Sequence, residues 1–177
     1  MIPTFERLGD VRARAIIHSK IADILQTRGD LKEALRIRRE EELPVFERLG
    51  DVLQRAITQG KIADALETRG GLDGAQRIRR EEELPVYERL GDVRRRAITQ
   101  SKIADSLQSR GDLDEALRIR REEEPSALER LGDAQQRAIT QGKIADILQA
   151  RGDLDGALRI RRKEQLPVFE RLVTSSG

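Results

Sequence analysis

Apolar residues recur along the chain at the spacing that places them on one face of a helix. Between residues 11 and 28, Val11, Ala15, Ala22 and Leu25 follow this spacing, with charged residues lying among them. Steps of three, four and seven residues are typical of an amphipathic helix, whereas a half-buried strand alternates at every second residue. The alternating pattern is missing from this segment, so it is predicted to be helical.

A glycine-containing turn follows this helix, and a second helix follows the turn. Arg28 suits the last turn of a helix because a cation there interacts favourably with the helix dipole, and Gly29 suits the left-handed position after it. Asp30 is placed to cap a second helix over residues 31–49, and Asp10 is placed to cap the first. We call the first helix of such a pair helix A and the second helix B.

This helical pair recurs along the chain with a constant period. The string Glu-Arg-Leu-Gly-Asp begins at residues 6, 47, 88 and 129, and each start lies 41 residues after the previous one. Such a period is the signature of a stacked helical repeat. The predicted division has the end of an earlier helix B, four repeats and a disordered tail: 1–10, 11–51, 52–92, 93–133, 134–172 and 173–177.

A proline lies inside the predicted helix B and leaves two alternatives. Pro44 removes a backbone donor and clashes with the carbonyl four residues earlier, so the helix either kinks and continues, or stops and restarts with proline in its first turn. Glutamates 40–42 precede it, and acidic residues disfavour a helix C-terminus. This favours one continuous, kinked helix, with the restart as the alternative.

Small residues recur where the two helices are expected to cross. Ala22 and Ala34 are alanine in all four repeats, and they are expected to let the helices approach closely. Phe46, near the end of helix B, is expected to pack against the next repeat. Gly60 lies inside helix A, where glycine is unfavourable, and is expected to make room for a neighbouring side chain or a ligand.

The numbers of basic and acidic residues indicate what kind of surface the chain presents. Lysine and arginine number 34, aspartate and glutamate number 32, and charged residues make up 37% of the chain. In helix B, Arg36, Arg38 and Arg39 are followed by the glutamates, so we expect a solvated face of ion pairs. Nucleic acid is not an expected partner, because its recognition would need a continuous basic surface.

Composition also excludes several kinds of chemistry. The chain has no cysteine and one histidine, His18, so thiolate centres and zinc sites are not expected. It shows no Ser-His-Asp arrangement, no glycine-rich phosphate loop, no secretory signal and no apolar run long enough to span a membrane. We expect a cytoplasmic protein that is not an enzyme, with no metal, cofactor or membrane partner.

The residues around the turn resemble the tetratricopeptide repeat (TPR) pattern. Ile21 and Ala22, then Leu25, then Gly29-Asp30-Leu31 and finally Ala34 match its order of large and small residues. The period of 41 residues is similar to the longer-repeat TPR subclass, as in kinesin light chains and spindle-orientation adaptors. The resemblance implies an all-α fold, a right-handed α-solenoid of four TPR-like hairpins. Other α-solenoids, such as HEAT repeats, are the alternative.

The resemblance also implies a binding face. The matching positions on a TPR helix A line a concave groove that binds peptides, and here they carry a repeated Lys–Asp ladder. The candidate peptide-binding residues are Lys20, Asp23, Gln26, Lys61, Asp64, Glu67, Lys102, Asp105, Gln108, Lys143, Asp146 and Gln149. The alternative for this ladder is internal: each lysine pairs with an aspartate of its own or a neighbouring helix.

Two functions follow as hypotheses from this interpretation. The first is a non-catalytic scaffold that binds protein or peptide partners along the concave helix-A face. The second is a structural array whose repeats stack end to end between chains, because terminal repeats normally need a polar outer face and none is evident here.

Overall fold

The computed structural model describes residues 4–123 and 134–174, and every regular element within these ranges is helical. The helix A segments are Thr4–Thr27, Val52–Thr68, Val93–Arg110 and Ala134–Ala150. The helix B segments open with Leu31–Ile37, Leu72–Ile78, Leu113–Arg118 and Leu154–Ile160. They continue through π-helical turns at Arg38–Glu42, Arg79–Glu83, Ile119–Glu123 and Arg161–Gln165. Three of them close with Leu43–Arg48, Leu84–Leu90 and Leu166–Thr174.

The chain divides into two compact units, Met1–Leu90 and Gly91–Gly177. In the first unit, helix A and helix B of each repeat pack against one another, and helix B of the first repeat also packs on helix A of the second. The second unit shows the same pairing of helices. The predicted helical hairpin is therefore confirmed as the building element of both units.

The turn between the two helices has the predicted conformation. Gly29 has a φ of +88°, its N–H donates to the carbonyl of Gln26 at 3.0 Å, and the N–H of Asp30 donates to the carbonyl of Leu25 at 2.8 Å. These two bonds form a Schellman motif, which needs the left-handed conformation that glycine adopts without strain. Asp30 occupies the N-cap position of helix B, but its side chain makes no capping hydrogen bond, contrary to prediction.

The first helix A is longer than predicted. It runs without interruption from Thr4 to Thr27, so Asp10 lies within the helix and not at its N-cap, and residues 4–10 are not the end of a separate helix. The second and third repeats do break at this point: Gly50 and Gly91 have φ values of +64° and +66°, and Asp51 accepts a hydrogen bond from the N–H of Gln54 at 3.1 Å.

At the other end, the last helix B extends to Thr174, so the predicted disordered tail is wrong for residues 173–174, while residues 175–177 lie outside the described part of the chain. The end of the third helix B, with Pro125 and Leu128, falls in residues 124–133 and also lies outside it.

Helix B continues past its proline in the first, second and fourth repeats, which confirms the continuous helix of the favoured alternative, and a π-helical turn precedes the proline in each. The N–H of Leu43, just before Pro44, donates to the carbonyl of Arg38, five residues earlier. Widening the ladder in this way accommodates a residue that has no N–H and whose ring crowds the preceding turn. In the third repeat the proline stands one residue earlier in its unit, and the π-helical turn also begins one residue earlier, at Ile119.

The core consists of small and branched side chains between the helices. Ala22 and Ala34 are both 0% exposed and pack together with Ile37, which confirms the predicted close crossing. Phe46 is buried, and so is Tyr87 at the equivalent position, which packs on Ala56 in helix A of its own repeat.

Candidate functional site

The helix-A face is built around an aspartate that links two repeats. Asp23 accepts a hydrogen bond of 2.9 Å from the Nη2 of Arg38, which belongs to helix B of the same repeat. It also accepts a hydrogen bond of 2.8 Å from the Nζ of Lys61, which belongs to helix A of the next repeat. Arg38 donates in addition to the Oε1 of Gln26 at 2.8 Å. The carboxylate thus bridges a neighbouring helix on each side.

The same arrangement recurs at the equivalent positions. Arg79 Nη2 donates to Asp64 at 2.8 Å and to Glu67 at 2.7 Å. Lys143 Nζ donates to Asp105 at 2.9 Å across the junction between the third and fourth repeats. Two further pairs of this kind are Arg120 with Asp105 and Arg161 with Asp146.

Arg38, Arg79 and Arg120 are buried, so the predicted solvated face of ion pairs is wrong for Arg38. The side chains of Arg38 and Arg79 are 1% and 0% exposed, whereas the Asp23 side chain is 48% exposed. A buried charge is destabilising unless it is paired and hydrogen-bonded, and these guanidinium groups meet that condition by reaching outward to half-exposed acids. Arg36, on the other side of the helix, is exposed and pairs with Glu33 as expected of a solvated face.

One signal in the sequence could have identified the buried arginine. Arg38 follows Ala34 by four residues and Leu35 by three, so it lies on the apolar stripe of helix B. Arg36 and Arg39 fall outside that stripe. Arginine is repeated at all three positions, so repetition alone did not separate the buried side chain from the exposed ones.

The electrostatics of Asp23 follow from its two cationic partners. Partial burial acts to raise the pKa of this carboxyl, but the hydrogen bonds and charges of Lys61 and Arg38 outweigh it, so the pKa lies below its ordinary value. Asp23 therefore stays ionised throughout the neutral range and holds both cations in place.

A second carboxylate lies behind the network. Glu42 is 0% exposed, lies 3.6 Å from Nη1 of Arg38, and accepts a hydrogen bond of 3.3 Å from the hydroxyl of Thr58 in the next repeat. Burial raises the pKa of Glu42, because the nearby charges of Arg38 and Lys61 offset only part of the desolvation.

The glycine in the second helix A has a related role. A Cβ at Gly60 would collide with the carboxylate of Glu83, so the glycine makes room for a neighbouring side chain, as one of the predicted alternatives had it.

A groove opens along this face in the first unit. A cavity of about 500 Å³ lies between the first and second helix A. Its lining is mainly polar: Asp23, Gln26, Thr27, Leu31, Arg38, Lys61, Asp64 and Thr68. The surface thus presents carboxylate, ammonium and hydroxyl groups side by side.

The structure brings some of the predicted site residues together and leaves others apart. Asp23 with Lys61 and Asp105 with Lys143 are paired across repeats, in agreement with the internal alternative for the ladder. Lys20 is exposed and, within the described part of the chain, contacts no carboxylate. Gln108 and Gln149 occupy the positions of the third and fourth helix A that correspond to Gln26.

The described residues lack two other features, a metal-binding cluster and a membrane-spanning helix. They contain no group of three or more His, Cys, Asp or Glu side chains placed to hold a metal ion. None of the described helices is long and apolar enough to cross a membrane.

Solved structures of other proteins share this fold. BtubC (BKLC) from P. vanneervenii matches with a TM-score of 0.74 at 18% identity, over 89% of this chain and 64% of that one. A putative kinesin light chain from P. anserina with nearly identical TPR-like repeats matches with a TM-score of 0.72 at 18% identity, over 90% of this chain and 76% of that one. This chain therefore spans less than two thirds of the length of BtubC.

These likenesses confirm the predicted TPR-like repeat fold. Neither a known protein-family profile nor a curated protein matches the chain. At this level of identity the similarity describes the architecture alone.

Proposed function

We propose that this protein is a non-catalytic scaffold that binds protein or peptide partners on its helix-A face. A TPR-like repeat fold supports an interaction role in general. The observation that carries the specific proposal is the cavity of about 500 Å³ between the first and second helix A, whose polar lining coincides with the repeated Lys–Asp ladder. The cytoplasm remains the proposed compartment.

The chemistry of the groove indicates the kind of peptide. Lys61, the lysine of the cavity lining, has Asp23 as a direct neighbour at 2.8 Å, so its positive charge is largely compensated. A C-terminal carboxylate would therefore be captured less well than a segment that carries charges of both signs. The charged groups of such a segment can replace partners in the existing ion pairs of successive repeats.

The test is binding of the 177-residue chain to an array of synthetic peptides that vary in charge pattern. We expect peptides with alternating charges to bind best, and binding to weaken with salt, because exposed charges are screened beyond about 8 Å at physiological ionic strength. Thr68→Tyr should block the groove without removing an ion pair, since the Thr68 hydroxyl donates only to the carbonyl of Asp64.

Thr174→Tyr is the matched control. The Thr174 hydroxyl also donates to a carbonyl four residues earlier, that of Glu170, but it lies at the end of the last helix B. The control should bind peptides as the unmodified chain does. The proposal fails if no peptide binds above background, or if Thr68→Tyr and Thr174→Tyr bind equally well.

A further inference from the structure

The junction between the first two repeats shows how one repeat covers the next. Leu35, in helix B of the first repeat, packs with Ile62 and Ala65, in helix A of the second. These three side chains are 3%, 2% and 0% exposed. Leu31 and Leu66 pack against the same cluster. Helix B of the first repeat thus supplies leucines to a row of small and branched residues on the second helix A.

The first helix A carries the equivalent receiving row, and in this row the side chains are exposed. Ile21 and Ile24 stand 41 residues before Ile62 and Ala65, and they are 42% and 62% exposed. Ile17, on the same side of the helix, is 55% exposed. We call Ile17, Ile21 and Ile24 the head face. A row of three exposed isoleucines is unusual for a surface that remains in water.

The last helix B carries the equivalent supplying row, and its leucines are also exposed. Leu154 and Leu158 stand three repeats after Leu31 and Leu35, and they are 58% and 49% exposed. We call these two leucines the tail face. The head face and the tail face are therefore equivalent to the two surfaces that pack together between the first and second repeats.

The charges at the two ends complement each other in the same register. Asp23 and Asp105 each pair with a lysine of the following repeat. Asp146 occupies the equivalent position in the fourth repeat and, among the described residues, pairs with Arg161 alone. Lys20 occupies the position of those lysines in the first repeat, and it is exposed. The tail thus offers an aspartate where the head offers a lysine.

Two residues that differ from those of the interior junction, one in the first repeat and one in the fourth, are compatible with the same contact. Inside the chain, the hydroxyl of Thr58 donates to the buried carboxylate of Glu42. The first repeat has Ile17 in place of this threonine, and the fourth repeat has Gln165 in place of this glutamate. Isoleucine has no donor for a carboxylate, and a buried carboxylate without a donor is costly, whereas a neutral amide avoids that charge. Gln165 also accepts a hydrogen bond of 2.9 Å from Arg161 of its own helix.

We propose that the tail face of one copy of this chain docks on the head face of a second copy, with Asp146 of the first copy next to Lys20 of the second. The contact is heterologous, since it joins two different surfaces, and it leaves one head and one tail open in every assembly. Association therefore continues from copy to copy and produces a filament that extends the 41-residue period. The partner differs from that of the peptide groove, and Lys20 and Asp146, although they belong to the Lys–Asp ladder, do not line the cavity between the first and second helix A.

The test is sedimentation velocity of the 177-residue chain from about 1 µM to about 1 mM, because mass-action association shifts with concentration. We expect the mass of the unmodified chain to rise without reaching a closed oligomer. Leu158→Asp and Ile21→Asp should each weaken association at least about tenfold, because each buries a charge in an apolar contact. Both residues are half-exposed, so both variants should fold, which circular dichroism verifies.

Mixing the two variants makes the test specific for a head-to-tail contact. The Leu158→Asp chain keeps its head face and the Ile21→Asp chain keeps its tail face, so an equimolar mixture should form one-to-one dimers that grow no further. Ile98→Asp is the matched control, because Ile98 is 49% exposed on the third helix A and belongs to neither face, so this variant should assemble normally. The proposal is overturned if the unmodified chain stays monomeric throughout, if a single variant still forms filaments, or if the mixture stays monomeric.

Discussion

Replacing the buried arginine of the second repeat separates two contributions to stability, packing and ion pairing. Arg79 is 0% exposed and donates to Asp64 at 2.8 Å and to Glu67 at 2.7 Å. Hydrogen bonds to charged groups contribute about 1.5–3 kcal/mol each. Both acids are about a third exposed, so water can take over part of that interaction once the arginine is gone. In the described structure, Nε and Nη1 of Arg79 also have no hydrogen-bond partner, and a neutral variant would remove that desolvation penalty.

These opposing effects predict different results for two variants. Arg79→Met keeps most of the side-chain volume, and it should lower the free energy of unfolding by no more than about 2 kcal/mol, because water can hydrate the two partly exposed acids that it leaves behind. Arg79→Ala also leaves a cavity, and it should cost about 2 kcal/mol more than Arg79→Met, at the lower end of large-to-small core substitutions.

Urea unfolding followed by circular dichroism measures both values. Arg161→Ala is the matched control, since Arg161 occupies the same position in the fourth repeat but its side chain is 41% exposed, so a small loss is expected. The reasoning is refuted if Arg79→Ala destabilises no more than Arg161→Ala. Equal losses for the methionine and alanine variants of Arg79 would refute the packing contribution and leave only the ion pairs.

Three further predictions concern other buried positions. Ala34→Leu should lower the free energy of unfolding by about 1–3 kcal/mol through overpacking of a side chain that is 0% exposed, and an unchanged melting temperature would contradict this. The raised pKa of Glu42 means that the folded state disfavours its charged form, so the protein loses stability as the pH rises from the ordinary pKa of this group towards the raised one. Glu42→Gln should therefore stabilise the protein at neutral pH. In urea unfolding, this gain should shrink below the ordinary pKa. Gly60→Ala should destabilise the fold because its Cβ would collide with Glu83, whereas Gly74→Ala, whose Cβ would make only an ordinary contact, should stabilise its helix by up to about 1 kcal/mol; thermal melts with both changes of the same sign would contradict this.

Local features of the sequence were enough to predict the helical hairpin and its turn. Gly29 adopts the left-handed conformation at a position identified from the chain alone, and helix B begins at Leu31 and ends at Arg48, close to the predicted limits of 31 and 49. These features depend on backbone preferences and on side chains within one or two turns. Repetition of the same local rules every 41 residues then indicated the TPR-like architecture.

The helix through Pro44 was predictable in part. Its continuation followed from the acidic residues before the proline, but the π-helical turn did not, because no rule for kinks specifies which carbonyl the neighbouring N–H will choose. In the first helix A, the local sequence predicted a break that the structure does not have. Gly9 and Asp10 repeat the residues that form a turn at Gly50 and Asp51, yet the helix continues through them. The same local sequence adopts two conformations, so its surroundings decide between them.

Burial of the charged residues was decided by tertiary structure. Arg36 and Arg38 are two residues apart and chemically identical, yet one is exposed and the other is 1% exposed, because helix A of the same repeat and helix A of the next one close over only one side of helix B. The ladder on helix A is likewise a set of bonds between repeats, with Lys61 reaching back to Asp23. Spacing along one helix states which side chains share a face, but the neighbouring helix determines whether that face meets water, a partner charge or a packed core.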